Sequence, residues 1–303
     1  MPRPGRITLG IILMAGFSFI APLMDSFAKL IGDAIAVGQV AAVRFVIQSV
    51  LLLPLACALG ALHRPRPAEI GLHFLRAGLL LVATAAFFVA LRHMPVADAI
   101  SIFFVEPFIL ILLGRLILGE ELGPRRLLAC LVGFIGAMVI IRPKFDDLGY
   151  IAALPLVTAL LFAFYMILTR RMATRMHPIT LQAYTGFFAL FLAGPILWAF
   201  DGSGYAPLDP SWPERREFIL LMALGVTATL SHICISYALS LAPASLLAPI
   251  QYLEIVGATI LGFYIFGDIP DGLTFVGIAL IVGSGLFVFI RERHIERFPT
   301  PAP

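Results

Sequence analysis

The chain has 303 residues, of which 60% are hydrophobic and 13% are charged, and its mean hydropathy is +1.00. Soluble domains carry about 25% charged residues, so this composition excludes an ordinary soluble protein and indicates an integral membrane protein. The net charge of +3 is small and dispersed, without a basic patch, and we therefore expect no nucleic-acid partner.

The first apolar run follows Arg3 and Arg6, as in a signal peptide. It lacks a clear small-residue cleavage site and is long enough to span a bilayer, so we interpret it as the first transmembrane helix. Windows of about twenty residues on a transfer scale predict further spans along the whole chain. The ten predicted spans cover residues 7–31, 39–61, 70–91, 97–118, 125–141, 149–169, 179–199, 217–240, 245–266 and 272–290.

The positions of arginine and lysine predict how the spans are oriented. If the N-terminus is cytoplasmic, twelve basic residues fall in inner segments and five in outer segments, as the positive-inside rule requires. Both termini then lie in the cytoplasm, with residues 292–303 forming a tail. The inner residues are Arg3, Arg6, Arg64, Arg66, Arg125, Arg126, Arg170, Arg171, Arg175, Arg291, Arg293 and Arg297, and the outer residues are Arg92, Arg142, Lys144, Arg215 and Arg216.

Sequence motifs for metal binding and catalysis are absent. Cys57, Cys130 and Cys234 stand alone in apolar runs without CxxC or Cys/His spacing, so we predict packing residues rather than a metal site or a disulfide. No nucleotide-binding, metalloprotease or serine-hydrolase motif accompanies the spans. The chain is therefore predicted not to be an enzyme, with no catalytic residue and no cofactor.

The two halves of the chain resemble each other at a shift of 148 residues. Residues 90–119 and 238–267 are identical at nine of thirty positions. The most informative matches are Pro95 with Pro243, Glu106 with Glu254, Gly114 with Gly262 and Gly119 with Gly267. Each copy holds five predicted spans, and an odd number of spans inverts the second copy relative to the first.

We therefore predict an all-α integral membrane protein of ten transmembrane helices, built as two inverted five-helix repeats. The repeats cover residues 1–145 and 146–291. Many secondary transporters are built in this way, with a substrate site near the bilayer midplane between the repeats.

The repeated residues resemble the EamA family of the drug/metabolite transporter superfamily, over essentially the whole chain. The matching segments are Met94-Pro95-Val96-Ala97-Asp98, Glu106-Pro107 and Gly119-Glu120-Glu121 in the first half, Ala242-Pro243-Ala244-Ser245, Glu254 and Gly267-Asp268 in the second, and Arg44 in the second span. The second half departs from the pattern, since Ile255 takes the place of Pro107 and Ile269 that of Glu121.

This resemblance implies a basket of ten helices in the bacterial inner membrane, with a central cavity lined by spans one, three, four, six, eight and nine. It further implies export of amino acids or other small metabolites, and the length and layout are most similar to exporters of aromatic amino acids. The implied partners are the lipid bilayer and a small-molecule substrate, and we expect a monomer.

Helical spacing predicts which polar residues face the cavity. The predicted substrate-cavity residues are Ser18, Asp25, Thr84, Tyr165, His232, Ser236, Tyr237 and Gln251. Their hydroxyl, imidazole, amide and aromatic groups suit neutral or zwitterionic solutes that carry an apolar part. Lys29 is the only lysine in a predicted span, which disfavours substrates that carry phosphate.

Several of these polar residues have two interpretations. Asp25 either pairs with Lys29 along the first span or faces the cavity, and Arg44 either snorkels to the interface or pairs with an acid such as Asp25. His232 is either a packing residue or a cavity residue that relays protons together with Glu254.

Glu106, Pro107, Glu254 and Pro22 are the predicted proton or gating residues. A carboxyl group at the bilayer centre costs on the order of 2.5–3.5 kcal/mol, so Glu106 needs a partner or a function. It either stays protonated and hydrogen-bonds across helices, or it serves as a proton site with Pro107 bending the helix at a gate. Pro22 is predicted to kink the first span and to turn a freed carbonyl toward the cavity.

These observations predict a secondary transporter that exports aromatic or neutral amino acids and related small metabolites by alternating access. The alternatives are a broad-specificity drug or metabolite exporter, a membrane-embedded enzyme and a channel. Facilitated movement and proton antiport both fit the sequence.

Overall fold

The computed structural model describes residues 6–62, 64–93, 96–120, 123–141, 151, 153–267 and 271–297. Several predicted features lie outside these residues, namely Pro95, Glu121, Asp268, Ile269, the boundary between 145 and 146, and the last part of the tail. The described residues form helices and short connections, and no strand occurs among them.

The structure divides the described chain into twelve α-helices. They are α1 (Arg6–Ile31), α2 (Val37–Ala58), α3 (Pro67–His93), α4 (Val96–Phe103), α5 (Glu106–Leu118), α6 (Pro124–Ile141), α7 (Ala153–Ala173), α8 (Pro178–Phe200), α9 (Arg215–Leu241), α10 (Ala244–Gln251), α11 (Leu253–Leu261) and α12 (Gly272–Arg297). A short π-helical turn, Gly262–Phe266, extends α11.

Among the described residues, eight helical segments are long and apolar enough to cross a membrane. They comprise α1, α2, α3, α7, α8, α9, the α10–α11 rod and α12. The remaining predicted spans, 97–118 and 125–141, coincide with α4–α5 and α6, which are not among the eight. The predicted all-helical membrane class is confirmed, whereas the count of ten spans in two inverted repeats stays a prediction.

Two predicted spans are broken near their middle. One divides into α4 and α5, of 8 and 13 residues, and the other divides at Tyr252 into α10 and α11. The two breaks pack on each other: the Tyr252 hydroxyl donates to the Phe104 carbonyl oxygen at 3.2 Å, and the two rings meet edge to face at 5.3 Å. The last carbonyl groups of a helix lack hydrogen-bond partners within the helix. The Tyr252 hydroxyl supplies a partner for one such carbonyl, that of Phe104 at the end of α4.

The sequence predicted a bend at Pro107 but not these two breaks. Pro107 lies in the first turn of α5, where the backbone N–H groups have no partner within the helix, so the missing N–H of proline costs no helical hydrogen bond. Proline therefore marks the start of a new helix here rather than a kink within a continuous one.

The main helix contacts join the two halves of the chain. Helix α1 packs against α9, α2 against α8, α3 against α7, and α6 against α12. Where α6 crosses α12, a side chain added at Gly277 would come within 2.6 Å of the Gly136 carbonyl oxygen. Small residues thus let these two backbones approach closely, as in many membrane helix pairs.

A Gly277→Ala substitution should destabilise the protein by about 1–3 kcal/mol, because the added methyl group overpacks the contact with α6. Gly283 lies on the same helix with no atom within 4 Å of its notional side chain, and it provides the matched control. Gly283→Ala should be neutral or stabilising by up to about 1 kcal/mol, the helix-propensity difference. Unfolding of the purified variants in detergent micelles measures both, and equal effects would contradict the close contact.

Candidate substrate cavity

A cavity of about 70 Å³ lies at the centre of the helices. Its lining comes from α1, α3, α4, α7, α9 and α11, which correspond to spans one, three, four, six, eight and nine, and from Arg44 of α2. Pockets for small organic ligands usually measure about 300–1,000 Å³. The cavity in this conformation has room for only a few water molecules, so its helices must separate before a metabolite can enter.

Phenylalanine rings form one continuous wall of the cavity. Phe17 and Phe162 lie nearly parallel with ring centroids 6.4 Å apart, Phe162 meets Phe103 at 5.9 Å, and Phe103 meets Phe87 at 5.8 Å. These four residues come from four different helices. Their faces give the cavity a large apolar surface suited to a flat or branched apolar group.

Arg44 supplies a positive charge to this cavity. Its side chain is buried, at 1% exposure, and its Nη1 donates to the Thr84 hydroxyl at 2.8 Å. The guanidinium also lies over the Phe45 ring, 4.8 Å from the centroid. Within the described part of the chain, Nε and Nη2 of Arg44 have no hydrogen-bond partner. Arg44 therefore does not snorkel, and it keeps two buried donors available beside the cavity.

Acidic groups also line the cavity. Asp25 and Glu254 line it and interact electrostatically with each other, and Asp25 also attracts Arg44. Among the described residues no direct ion pair joins Asp25 to Arg44, and Oδ1 of Asp25 has no hydrogen-bond partner. Lys29, the alternative partner of Asp25, lines a separate cavity of about 190 Å³ that also contains Asp33 and Arg92.

Glu106 lies behind the cavity at the break between α4 and α5. It is fully buried, and neither carboxyl oxygen has a hydrogen-bond partner among the described residues. The Gln251 side chain lies beside it, with Nε2 likewise unpartnered, and Glu254 is close enough to interact electrostatically. The repeated glutamates therefore approach the centre from both broken helices, but only Glu254 reaches the cavity wall.

A hydrogen-bond network supports the cavity from behind. Buried Arg76 of α3 bonds through Nε to the Thr169 hydroxyl at 2.9 Å and through Nη2 to the Tyr165 hydroxyl at 3.0 Å, and its Nη1 bonds to Thr185 and to the Leu181 carbonyl. Tyr165 in turn contacts Nδ1 of His232 at 3.0 Å. All three guanidinium nitrogens of Arg76 thus have partners, in contrast to those of Arg44.

The sequence interpretation missed Arg76 and also Gln182, which joins the same network. Gln182 donates to the Tyr165 hydroxyl and to the His232 carbonyl, both at 2.9 Å, and also contacts Ser236. An arginine and a glutamine inside apolar spans are costly enough to signal a functional or structural role. Arg76 and Gln182 could therefore have been singled out from the sequence, since both lie within predicted apolar spans.

The structure distributes the predicted cavity residues and the predicted proton or gating residues over several places. Asp25, Thr84, His232 and Glu254 line the cavity. Tyr165 and Ser236 lie one layer behind it in the network, and Gln251, Glu106 and Pro107 lie at the helix breaks. Ser18 bonds to the Met14 and Ile250 carbonyls and ties α1 to α10.

Two predicted positions differ from their expected surroundings. Tyr237 lies away from the cavity, with its hydroxyl 3.5 Å from Nε2 of His177. It follows His232 by five residues, or about 140° around a helix, so it faces a different direction. Pro22 lies within α1, but the Ser18 carbonyl that it frees packs against α11, 3.1 Å from a notional side chain at Gly257.

Glu120 connects four helices at one end of the molecule. Its carboxylate accepts hydrogen bonds from the backbone N–H groups of Ala244 and Ser245 at 3.0 and 2.9 Å, at the N-terminus of α10. Arg170 of α7 lies 3.6 Å from the same carboxylate and donates to the Leu239 carbonyl of α9 at 2.6 Å. Helix N-termini favour negative charge, and the arginine reinforces the contact. We call Glu120, Arg170 and the first amides of α10 the Glu120 clasp.

The comparisons with known proteins agree with this architecture. The family model described as "EamA-like transporter family" matches residues 8–142 and again 148–290. The chain belongs to the EamA-like transporter family. The family resemblance predicted from the sequence is thereby confirmed, and members of this family are membrane transporters.

Curated relatives of this EamA-family chain transport several kinds of metabolite. A riboflavin transporter of Brucella anthropi is 30% identical over 84% of this chain and 88% of its own length. An S-adenosylmethionine uptake transporter of Rickettsia prowazekii is 27% identical over 89% of this chain and 88% of its own length. A pseudopaline exporter of Pseudomonas aeruginosa is 28% identical over 90% of this chain and 93% of its own length.

A solved crystal structure superimposes with a TM-score of 0.77, covering 95% of this chain and 99% of that chain at 21% identity. At this identity the likeness shows a common fold alone. The narrower likeness to exporters of aromatic amino acids is not supported by these relatives. Length and layout are shared throughout such a family, so they could not distinguish one substrate from another.

A Glu120→Ala substitution should lower the free energy of unfolding by about 2 kcal/mol, because two α10 amides and Arg170 lose their shared acceptor. Glu69→Ala provides the control, since among the described residues Glu69 accepts a hydrogen bond only from the exposed Arg66 amide, just before α3. Thermal unfolding in micelles compares the two variants. A loss at Glu120 no larger than at Glu69 would contradict the clasp.

Proposed function

We propose that this EamA-family protein is a secondary transporter that carries small zwitterionic metabolites with an apolar or aromatic part, amino acids among them, across the bacterial inner membrane by alternating access. The observation that carries the proposal is the buried Arg44, with two donors that are unpartnered among the described residues, in the same phenylalanine-walled cavity as Asp25 and Glu254. The carboxylate of such a substrate would bind Arg44, its ammonium group would bind Asp25 or Glu254, and its apolar part would pack against the phenylalanine rings.

The helix contacts support the inverted-repeat arrangement that alternating access requires. If α1 corresponds to α7 and α3 to α9, the α1–α9 contact becomes the α7–α3 contact when the halves are exchanged, and both contacts are present. The α2–α8 and α6–α12 contacts likewise join equivalent helices. We propose that the halves rock about this approximate two-fold axis, with both termini in the cytoplasm.

The Glu120 clasp lies at the end that the positive-inside rule assigns to the cytoplasm. A closed clasp and a cavity of about 70 Å³ fit a conformation in which a substrate cannot enter from that side. We propose that opening the clasp exposes the cavity to the cytoplasm. Export is the proposed direction on the family resemblance, and the named relatives include both uptake transporters and an exporter.

Riboflavin or a similar heteroaromatic compound is the second candidate substrate. The riboflavin transporter of Brucella anthropi and the phenylalanine wall both favour it. Riboflavin offers ring faces and hydrogen-bonding groups but no zwitterion, so it would leave the charge arrangement of the cavity largely unused.

Uptake into proteoliposomes of labelled phenylalanine, leucine, riboflavin and S-adenosylmethionine tests the two candidates directly. We expect saturable phenylalanine transport that is accelerated by unlabelled phenylalanine on the other side, since a carrier shows such counterflow and a channel does not. Transport of riboflavin without phenylalanine would replace the first candidate by the second.

An Arg44→Met substitution should weaken phenylalanine binding about tenfold to a hundredfold, the loss expected for a hydrogen-bonded charge pair. Arg115→Met removes the same groups from an exposed arginine on α5 and should leave binding unchanged. Concentration dependence of counterflow measures both. Equal affinities in the two variants would remove Arg44 from the site.

We propose that Glu106 is a proton site that couples transport to a pH gradient, so a Glu106→Gln substitution should preserve counterflow but abolish stimulation of transport by an imposed pH gradient. The amide has the shape of a protonated carboxyl group but cannot release a proton, so it separates proton exchange from a packing role. Transport that responds to the gradient as in the unmodified protein would show that Glu106 has only the structural role.

A further inference from the structure

His232 has a hydrogen-bond arrangement that determines which of its ring nitrogens carries a proton. The ring lines the cavity, and its Nδ1 lies 3.0 Å from the Tyr165 hydroxyl. Within the described part of the chain, Nε2 has no hydrogen-bond partner. Either the Tyr165 hydroxyl or Nδ1 of His232 donates in the contact between them.

Among the described residues, the Tyr165 hydroxyl has two other hydrogen-bond neighbours, and both are donors. Nη2 of Arg76 lies 3.0 Å away, and a guanidinium has no acceptor. Nε2 of Gln182 lies 2.9 Å away. The same Gln182 nitrogen is 2.9 Å from the His232 carbonyl oxygen, which can only accept, so the amide must present its NH₂ group on this side.

The phenolic proton consequently has one acceptor within the described part of the chain, Nδ1 of His232. A donor at Nδ1 would leave the Tyr165 proton without a partner in a buried site, which costs free energy. Nδ1 therefore carries no proton, and the neutral imidazole carries its proton on Nε2. A cationic ring would also face Arg44 and Arg76, both of which interact with it electrostatically.

We propose that His232 is a fixed, neutral hydrogen-bond donor in the cavity, that Nε2–H recognises an acceptor group on the substrate, and that Arg76, Tyr165 and Gln182 are the positioning residues that lock this tautomer. Together with the unpartnered donors of Arg44, the Nε2–H group of His232 makes one part of the cavity selective for a carboxylate, carbonyl or ring-nitrogen acceptor on the substrate. The same lock excludes His232 from a proton relay with Glu254. The role of Nε2–H in substrate recognition rests on the proposed function. The assignment of the His232 tautomer rests only on the hydrogen bonds around the ring.

The charged groups that face this ring come from several helices. They are Asp25 of α1, Arg44 of α2, Arg76 of α3 and Glu254 of α11, and Tyr165 of α7 completes the titratable surroundings. Nitrogen NMR of ¹⁵N-histidine-labelled protein in micelles reports the protonation of each ring nitrogen, and His232→Gln identifies the signal. We expect Nδ1 without a proton and Nε2 with one from about pH 5 to 8, the range in which histidine ordinarily titrates.

A proton on Nδ1, or conversion of the ring to the cation within that range, would overturn the proposal. Tyr165→Phe removes the donor, and the ring should then exchange between tautomers or titrate. Tyr237→Phe removes a hydroxyl five residues after His232 that lies outside the cavity, and it should leave the His232 spectrum unchanged. If Tyr165→Phe fails to fold, the spectrum of the unmodified protein decides by itself.

Binding of labelled phenylalanine tests the use of the donor. His232→Gln keeps an N–H near the position of Nε2 and should bind within about threefold of the unmodified protein, whereas His232→Phe should bind about tenfold more weakly. Equal binding by these variants would overturn the recognition role. If the unmodified protein gives the expected spectrum but binds no phenylalanine, the locked tautomer stands and the proposed substrate class fails.

Discussion

A charged side chain in an apolar membrane interior must have either protein partners or access to a polar cavity, and this constraint organises the centre of the molecule. Arg76 and Arg44 meet it in opposite ways. Arg76 bonds through all three nitrogens to hydroxyls and a carbonyl on α7 and α8, so it holds helices together. Arg44 bonds through one nitrogen to Thr84 and leaves two donors beside the cavity. The first arginine supports the site, and the second belongs to it.

The broken helices bring the carboxyl groups to the same place. Because α5 and α11 begin in the middle of the molecule, Glu106 and Glu254 lie in the first turns of new helices, where acidic residues are favoured. Packing between Tyr252 and Phe104 holds the two breaks against each other. The centre therefore combines acidic groups from the breaks with a basic group from α2, beside a cavity lined by phenylalanines.

Much of this architecture could be predicted from sequence because its causes are local. Hydropathy placed the long helices within a few residues of their observed ends, and the charge cost of Asp25, Arg44 and Glu254 in apolar runs indicated a central polar site. The breaks at Val105 and Tyr252 could not be predicted, because a break depends on a partner that satisfies the exposed carbonyls. Arg76 and Gln182 carried a readable signal, but their partners lie on α7, α8 and α9, far away in the sequence.

The sequence by itself determined that the chain is helical and membrane-embedded, that its halves share a pattern and that it resembles EamA transporters. These properties follow from composition, periodicity and residue identity. Only the tertiary structure decided which polar residues reach the cavity, which arginine keeps unpartnered donors among the described residues and which groups surround the His232 ring. Those outcomes depend on hydrogen bonds between residues tens to hundreds of positions apart, and the direction of each bond follows from the chemistry of the partner that packing brings into reach.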